Sequence, residues 1–250
     1  CAAGGVALQI LARRGIRVAA HIRSIAGIQD VPFDPVLCGS DQFTALVGKG
    51  FPVLDDEAGL AMQAAIGGAR AARDSVGGVV ECACVGLPAG VGAPMFDGIE
   101  NVVAKLLFGI PAVKGVEFGA GFAAADMYGS QNNDPIVLDV AGHATCRTNN
   151  AGGILGGIST GMPVIVRAAF KPTPSIAEEQ STIDIVEGCQ ARLSVPGRHD
   201  PCVVVRAVPV VEAAMALAVI DCLASDGVLG PVSDSAVDPQ VLERTRTLFG

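Results

Sequence analysis

The sequence has no tryptophan, one tyrosine and only 4% aromatic residues, although half of its 250 residues are hydrophobic. Its core must therefore be packed from aliphatic side chains. The length is enough for one substantial core, as one large domain or two small ones. Positive charge is also scarce. Lys and Arg number 17 against 25 Asp and Glu, for a formal charge of −8, which argues against nucleic acid or an anionic membrane as a partner. Any anion that binds must be met by a local cluster of cations. The eight cysteines (1, 38, 82, 84, 146, 189, 202, 222) include no Cys-x-x-Cys pair. Cys82 and Cys84 lie in a valine-rich strand pattern with no histidine near, so core packing is expected there and no metal site. Scattered thiols fit a reducing, cytoplasmic-type compartment. No signal or transit segment is visible, and Glu212 and Asp221 interrupt the best candidate for a membrane span. Nucleotide loops are missing as well. Met95 stands where Gly90-Val91-Gly92 would need its third glycine, and Gly48-Lys49 lacks both the earlier glycine and the following hydroxyl of a Walker A loop.

What the chain does hold is a charged turn, Gly197-Arg198-His199-Asp200-Pro201-Cys202, followed by almost pure hydrocarbon from Val210 to Ala224. Charge beside an apolar helix needs partners or a ligand. Asp200 could cap a helix with Pro201 at its first position, but Pro209 would then interrupt it. The long helix is expected to begin after Pro209, leaving the turn as a rigid loop.

Elsewhere the pattern is legible. Cys1–Arg14 reads as a buried helix closed by Gly15. Ile16–Ser24 alternates as a strand, with His21 on its exposed face. Asp55–Asp74 is a helix with acids first and Arg70 and Arg73 last. Val79–Val85 is a strand, Phe96–Phe108 a helix ended by Gly109, and Ala112–Phe118 another strand. Ala123–Pro135 reads as a polar loop and Ile136–Val140 as a strand. The glycines from Gly152 to Gly157 could cup a phosphate or simply make tight turns. Met162–Phe170 is a strand ending at Lys171-Pro172-Thr173-Pro174-Ser175, where a cation and two hydroxyls suit a phosphate. Thr182–Val186 and Gln190–Val195 form a hairpin about Glu187-Gly188. The tail after Pro231 is polar and carries no motif.

Three blocks, GAPMFDGIENVVAKLLFGIPAVKGVEFGAGF, TNNAGGILGGISTGMPVIVRAAFKPTPSI and GRHDPCVVVRAVPVVEA, together resemble chorismate synthases over nearly the whole chain and in that family's order. The resemblance implies an α+β fold, a β-α-β sandwich with a helical core between antiparallel sheets, as one domain over 1–250 and a homotetramer when complete. It implies the conversion of enolpyruvylshikimate phosphate to chorismate by trans-elimination of phosphate with reduced FMN. It leaves open whether NADPH reduces that flavin. Carried over residue by residue, the flavin contacts would be Ala112, Gly156, the segment Lys171, Pro172, Thr173, Pro174 and Ser175, and Arg198. Arg198 would also meet the substrate, and Asp200 would assist proton movement at the flavin. Pro111 stands where some members carry Asn, so a contact there must be through backbone.

The chain also departs from the family. Its N-terminal Gly-Glu-Ser-His-Gly motif and the Ser-Ala-Arg-Glu-Thr-Ala block have no counterpart, and of His21, His143 and His199 only the last stands in a matching motif. The pattern covers about the C-terminal two-thirds, so the chain alone is expected to be inactive. Two rival readings are an inactive flavin-binding or oligomerising remnant, and a serine hydrolase built on Gly157-Ile158-Ser159-Thr160-Gly161, which fits G-x-S-x-G.

Overall fold

The computed structural model describes residues 1–229; the tail after Pro231 lies outside the described residues. In chain order the helices are α1 (Ala2–Ala12), α2 (Ser40–Leu46), α3 (Asp56–Ala71), α4 (Ile99–Phe108), α5 (Gly129–Asn132) and α6 (Val204–Ser225). The longer strands are β1 (Arg17–Ile25), β3 (Gly78–Val85), β4 (Val113–Phe118) and β9 (Val164–Phe170), with β2 (Ile28–Gln29) short. Three hairpins complete the set: β5 (Ile136–Leu138) with β6 (Ala144–Cys146), β7 (Ile154–Leu155) with β8 (Ile158–Ser159), and β10 (Gln180–Asp184) with β11 (Cys189–Leu193).

Strands β2-β1-β3-β9-β4 form one antiparallel sheet in that spatial order. Its β-branched and small residues suit a surface packed on both sides. Val18, Ala20, Ile22, Cys82, Cys84, Val164 and Val166 face a helical layer of α1, α4 and α6. Ala19, Ala83 and Ile165 face the other way, under Phe33, Cys38, Phe43 and Leu46. The second cover explains why β1 is buried on both faces and not half-exposed, as its alternation suggests. Cys82 and Cys84 are buried core residues, as expected. Burial pushes the Cys84 thiol up to about 12, so it stays protonated and packs as a small apolar group.

The expected helix start after Pro209 is overturned. Helix α6 begins at Val204 and runs through Pro209, its carboxylate Glu212 and Asp221. A proline at this depth removes one helical hydrogen bond. Most of the helix is buried against α1, α4 and the sheet, and that burial outweighs the lost bond. By length and composition α6 could cross a membrane, despite its two acids. Here it is the central core helix.

Helices α1 and α6 cross closely at Gly4. A Cβ there would stand 2.2 Å from Ala213 Cβ and 2.6 Å from its Cα. Glycine-to-alanine within a helix ordinarily gains about 1 kcal/mol, but this clash with backbone forces the helices apart at about 1–3 kcal/mol. We expect Gly4→Ala to lower the urea midpoint. A raised midpoint would mean that α1 can shift freely.

Candidate functional site

Ser75-Val76 lies just after α3. The Ser75 hydroxyl donates to the Thr173 carbonyl at 2.6 Å, and the Val76 N–H donates to the Pro201 carbonyl at 2.8 Å. One short segment thus holds the Lys171–Ser175 stretch at the end of β9 and the 197–202 loop ahead of α6. Beside it opens a cleft of about 480 Å³, lined by Arg70, Arg73, Ser75, Ser175, Arg198 and Asp200 among others. Ala112, just ahead of β4, is tied to the same stretch by its carbonyl, which accepts the Lys171 N–H at 2.9 Å. Ala112 has φ 73°, a left-handed conformation uncommon for alanine.

Gly156 is elsewhere. It sits in the β7–β8 turn, whose Gly157 carbonyl accepts the Ile99 N–H at the start of α4. Ala112 follows the other end of that helix, so ten residues of α4, about 15 Å of axis, separate the two ends. Space is open at Gly156, while Gly157 abuts Ala93 and Gly98 so closely that a side chain would collide. The glycine run therefore includes turns and close chain crossings. A second cavity of about 470 Å³ lies beside this hairpin, between Asp134, Asn149, Thr160 and Met162.

Within the charged turn, Asp200 makes two contacts. Its Oδ1 accepts the Cys202 N–H at 3.3 Å, and its Oδ2 lies 3.3 Å from Arg206 Nε. The reading of Asp200 as the helix cap with Pro201 at the first position is overturned: Val203 is the N-cap of α6 and no side chain caps it, so Asp200 closes only the turn ahead of the helix. His199 Nε2 lies 3.0 Å from the Val195 carbonyl.

At the end of α3 the chain closes with two nested bonds, Arg73 N–H to Arg70 O at 3.1 Å and Asp74 N–H to Ala69 O at 2.9 Å. The residue after the cap is then left-handed, and glycine is its usual occupant. Here it is Arg73, with φ 60°. Its carbonyl accepts the N–H groups of Ala177 and Glu178, both at 3.1 Å, and so anchors the loop that carries Ser175.

The structure overturns the reading of His21 as exposed. His21 is fully buried, with Nδ1 2.9 Å from Asp30 Oδ2 and Nε2 3.0 Å from Glu81 Oε2. It begins a row across the sheet, because His21 pairs with Glu81, Glu81 with Arg167, and Arg167 with Glu117 in register. Arg167 Nε lies 2.7 Å from Glu117 Oε1 and Arg167 Nη1 3.9 Å from Glu81 Oε1. Asp30 also accepts the Leu54 and Asp55 N–H groups, and Glu81 that of Phe33. Burial alone would lower the His21 pKa, but the hydrogen bonds and charges of Asp30 and Glu81 outweigh it and raise it above the ordinary value. Burial would raise that of Asp30, but His21 and the two N–H donors bring it below the ordinary value. Fully buried between two carboxylates, His21 belongs to a structural row.

The serine hydrolase reading also fails. Ser159 is buried on β8, its hydroxyl donates to the Pro88 carbonyl at 2.6 Å and accepts the Val91 N–H at 2.9 Å. Strand β9 follows it, where a nucleophile elbow needs a helix. His143 is exposed and lies 3.5 Å from Asp139. Among the described residues no cluster of three or more His, Cys, Asp or Glu could hold a metal.

Sequence reasoning missed Arg70, Arg73 and Ser75 as cleft residues, having read the arginines only as helix-end charges. It also missed the buried row. A signal for the row exists, since β3 and β9 are apolar strands that each carry a single charge, Glu81 and Arg167.

Comparison with known proteins bears on the whole chain. A family model described as chorismate synthase matches residues 1–224. The chorismate synthase of Methanocella arvoryzae is 45% identical over 239 residues, which cover 95% of this chain and 62% of that protein. That of Korarchaeum cryptofilum is 47% identical over 222 residues, 88% of this chain and 60% of that one. A crystal structure of chorismate synthase superposes with a TM-score of 0.74 at 25% identity, covering 98% of this chain and 67% of that one. The α+β fold is therefore the one expected, and the chain spans about three-fifths of the length of the curated relatives it matches.

Proposed function

The chain belongs to the chorismate synthase family, and on that premise we propose that it is part of a lyase, as one domain, that converts enolpyruvylshikimate phosphate to chorismate and phosphate. The observation that carries this reading is the meeting of two family blocks at one cleft. Ser75-Val76 bonds both the Lys171–Ser175 segment and the 197–202 loop, and Ser175 and Arg198 line the same 480 Å³ space. The reaction removes a proton and a phosphate across a ring, so a site needs a group that moves a proton and cations that meet phosphate.

The residues present fit a flavin phosphate in chemistry. Thr173 Oγ1 is buried with no hydrogen-bond partner, an unmet donor in the segment proposed to bind it. Reduced FMN would supply an electron-rich ring whose redox state is unchanged over the cycle. Lys171, Thr173, Ser175 and the Pro172 and Pro174 framework would hold its phosphate or ribityl chain, with the backbone of Ala112 as a further contact, while Gly156, beyond the other end of α4, is left out of this set. Arg198 would face both flavin and substrate, and Asp200 would move a proton. A cytoplasmic homotetramer is the assembly we infer for the complete protein.

Two measurements test this. Lys171→Ala and Arg198→Ala should each weaken FMN about tenfold or more, since each removes a charge-assisted hydrogen bond of about 1.5–3 kcal/mol; only Arg198→Ala should weaken the substrate as strongly. The chain with reduced FMN and enolpyruvylshikimate phosphate, without oxygen, should form chorismate only when an N-terminal fragment of a relative is added. Unchanged FMN affinity in both variants, together with no product from the complemented protein, would remove the reading.

A further inference from the structure

Three arginines, Arg70, Arg73 and Arg198, line the cleft beside Ser75. Among the described residues none of the three enters an ion pair or a side-chain hydrogen bond. All three are exposed, so their charges are free to meet a ligand from solution. The two acids in the cleft are otherwise occupied: Asp74 Oδ1 accepts the Ser75 N–H at 2.7 Å, and Asp200 is beside Arg206 and Cys202. Like charges gathered without partners repel, and an anion between them would relieve that repulsion.

Arg73 adds an independent observation. It occupies the left-handed position after the cap of α3, at φ 60°, where glycine would be unstrained. Strained backbone that persists beside a cleft points to use of the side chain it carries. The bland account, that Arg70 and Arg73 only offset the negative end of the α3 dipole, explains a cation in the last turn. It does not explain why the residue that should be glycine is an arginine. Nor does the backbone of Arg73 need its side chain to bond Ala177 and Glu178, since its carbonyl makes those bonds.

We propose that Arg70 and Arg73, with Arg198 and the hydroxyls of Ser75 and Ser175, bind the dianion of a phosphate monoester. This deepens the proposed function and rests on it only for the source of the phosphate, which can be the flavin or the enolpyruvyl substrate. Guanidinium groups offer forked donors matched to phosphoryl oxygens. Arg70 and Arg73 would hold the group in place, and neither is assigned a part in proton transfer.

The decisive variant is Arg73→Gly. It retains the backbone and its carbonyl bonds and removes the strain, so its thermal midpoint should equal or exceed that of the wild type. Inorganic phosphate, titrated calorimetrically into the chain, should bind about tenfold more weakly in Arg73→Gly and in Arg70→Ala, and Arg73→Lys should restore part of the loss. FMN and riboflavin titrations then separate the sources. Loss for FMN without loss for riboflavin assigns the flavin phosphate; unchanged FMN with weakened enolpyruvylshikimate phosphate assigns the substrate. If phosphate binding depends on both arginines yet neither flavin nor substrate binds, the anion site stands and the proposed function falls. Phosphate affinity unchanged in Arg73→Gly and Arg70→Ala overturns the anion site, whatever the flavin does.

Discussion

His21→Leu is expected to destabilise the chain by about 3–5 kcal/mol, the usual cost of leaving a buried charge without its partner. At roughly 2–4 °C per kcal/mol for a chain of this size, the thermal midpoint should fall by about 6–20 °C. The loss comes from two carboxylates. Asp30 would keep only the Leu54 and Asp55 N–H groups, and Glu81 only the Phe33 N–H and the distant Arg167. A double variant, His21→Leu with Glu81→Leu, should recover the part of the loss that comes from Glu81, because a buried pair replaced by hydrocarbon is often neutral, while Asp30 stays without its histidine. A His21→Leu cost below about 1 kcal/mol would show that the row carries little stability.

The same row sets a pH window. His21 is raised in the folded state, so its contribution is complete below the ordinary value of 6.5 and is lost as pH rises through the folded value above it. Asp30 is lowered, so its contribution is complete above the ordinary 3.8 and is lost as pH falls through the folded value below it. Both are present together between about 3.8 and 6.5. Wild-type stability minus that of the double variant should therefore be largest in that interval and decline on both sides.

The second large effect is on turnover. In the complete protein, Asp200→Asn should reduce chorismate formation by a factor of about a hundred or more, the range for a positioned acid or base. Asparagine keeps an oxygen for the Cys202 N–H, so the turn ahead of α6 survives. What it loses is the carboxylate and the pair with Arg206. Arg206 is 84% exposed, and so open a pair adds little stability. Arg206→Ala is therefore the control. It should leave turnover within a few-fold, whereas equal losses in both variants would mean that Asp200 acts through Arg206. Asp200→Asn turnover within tenfold of the wild type would remove it from the chemistry.

The sequence by itself determined most of the elements. Asp55 caps α3 through the Glu57 N–H, Gly109 closes α4, Gly188 turns the β10–β11 hairpin, and the apolar runs become β3, β4 and β9. These depend on contacts within a few residues, which local patterns record. The three family blocks also carried the family and its fold. Tertiary structure decided the rest. Pro209 is tolerated because α6 is surrounded by α1, α4 and the sheet, a gain that no local rule for proline contains. His21 is buried because Phe33, Phe43 and Leu46, distant in the chain, cover the face that alternation would leave to water. The register of four strands alone aligns His21, Glu81, Arg167 and Glu117 into one row. The cleft is likewise a product of distance: Arg73 and Arg198 lie 125 positions apart in the chain, and only the bonds of Ser75 and Val76 to two remote segments bring their cations to one space.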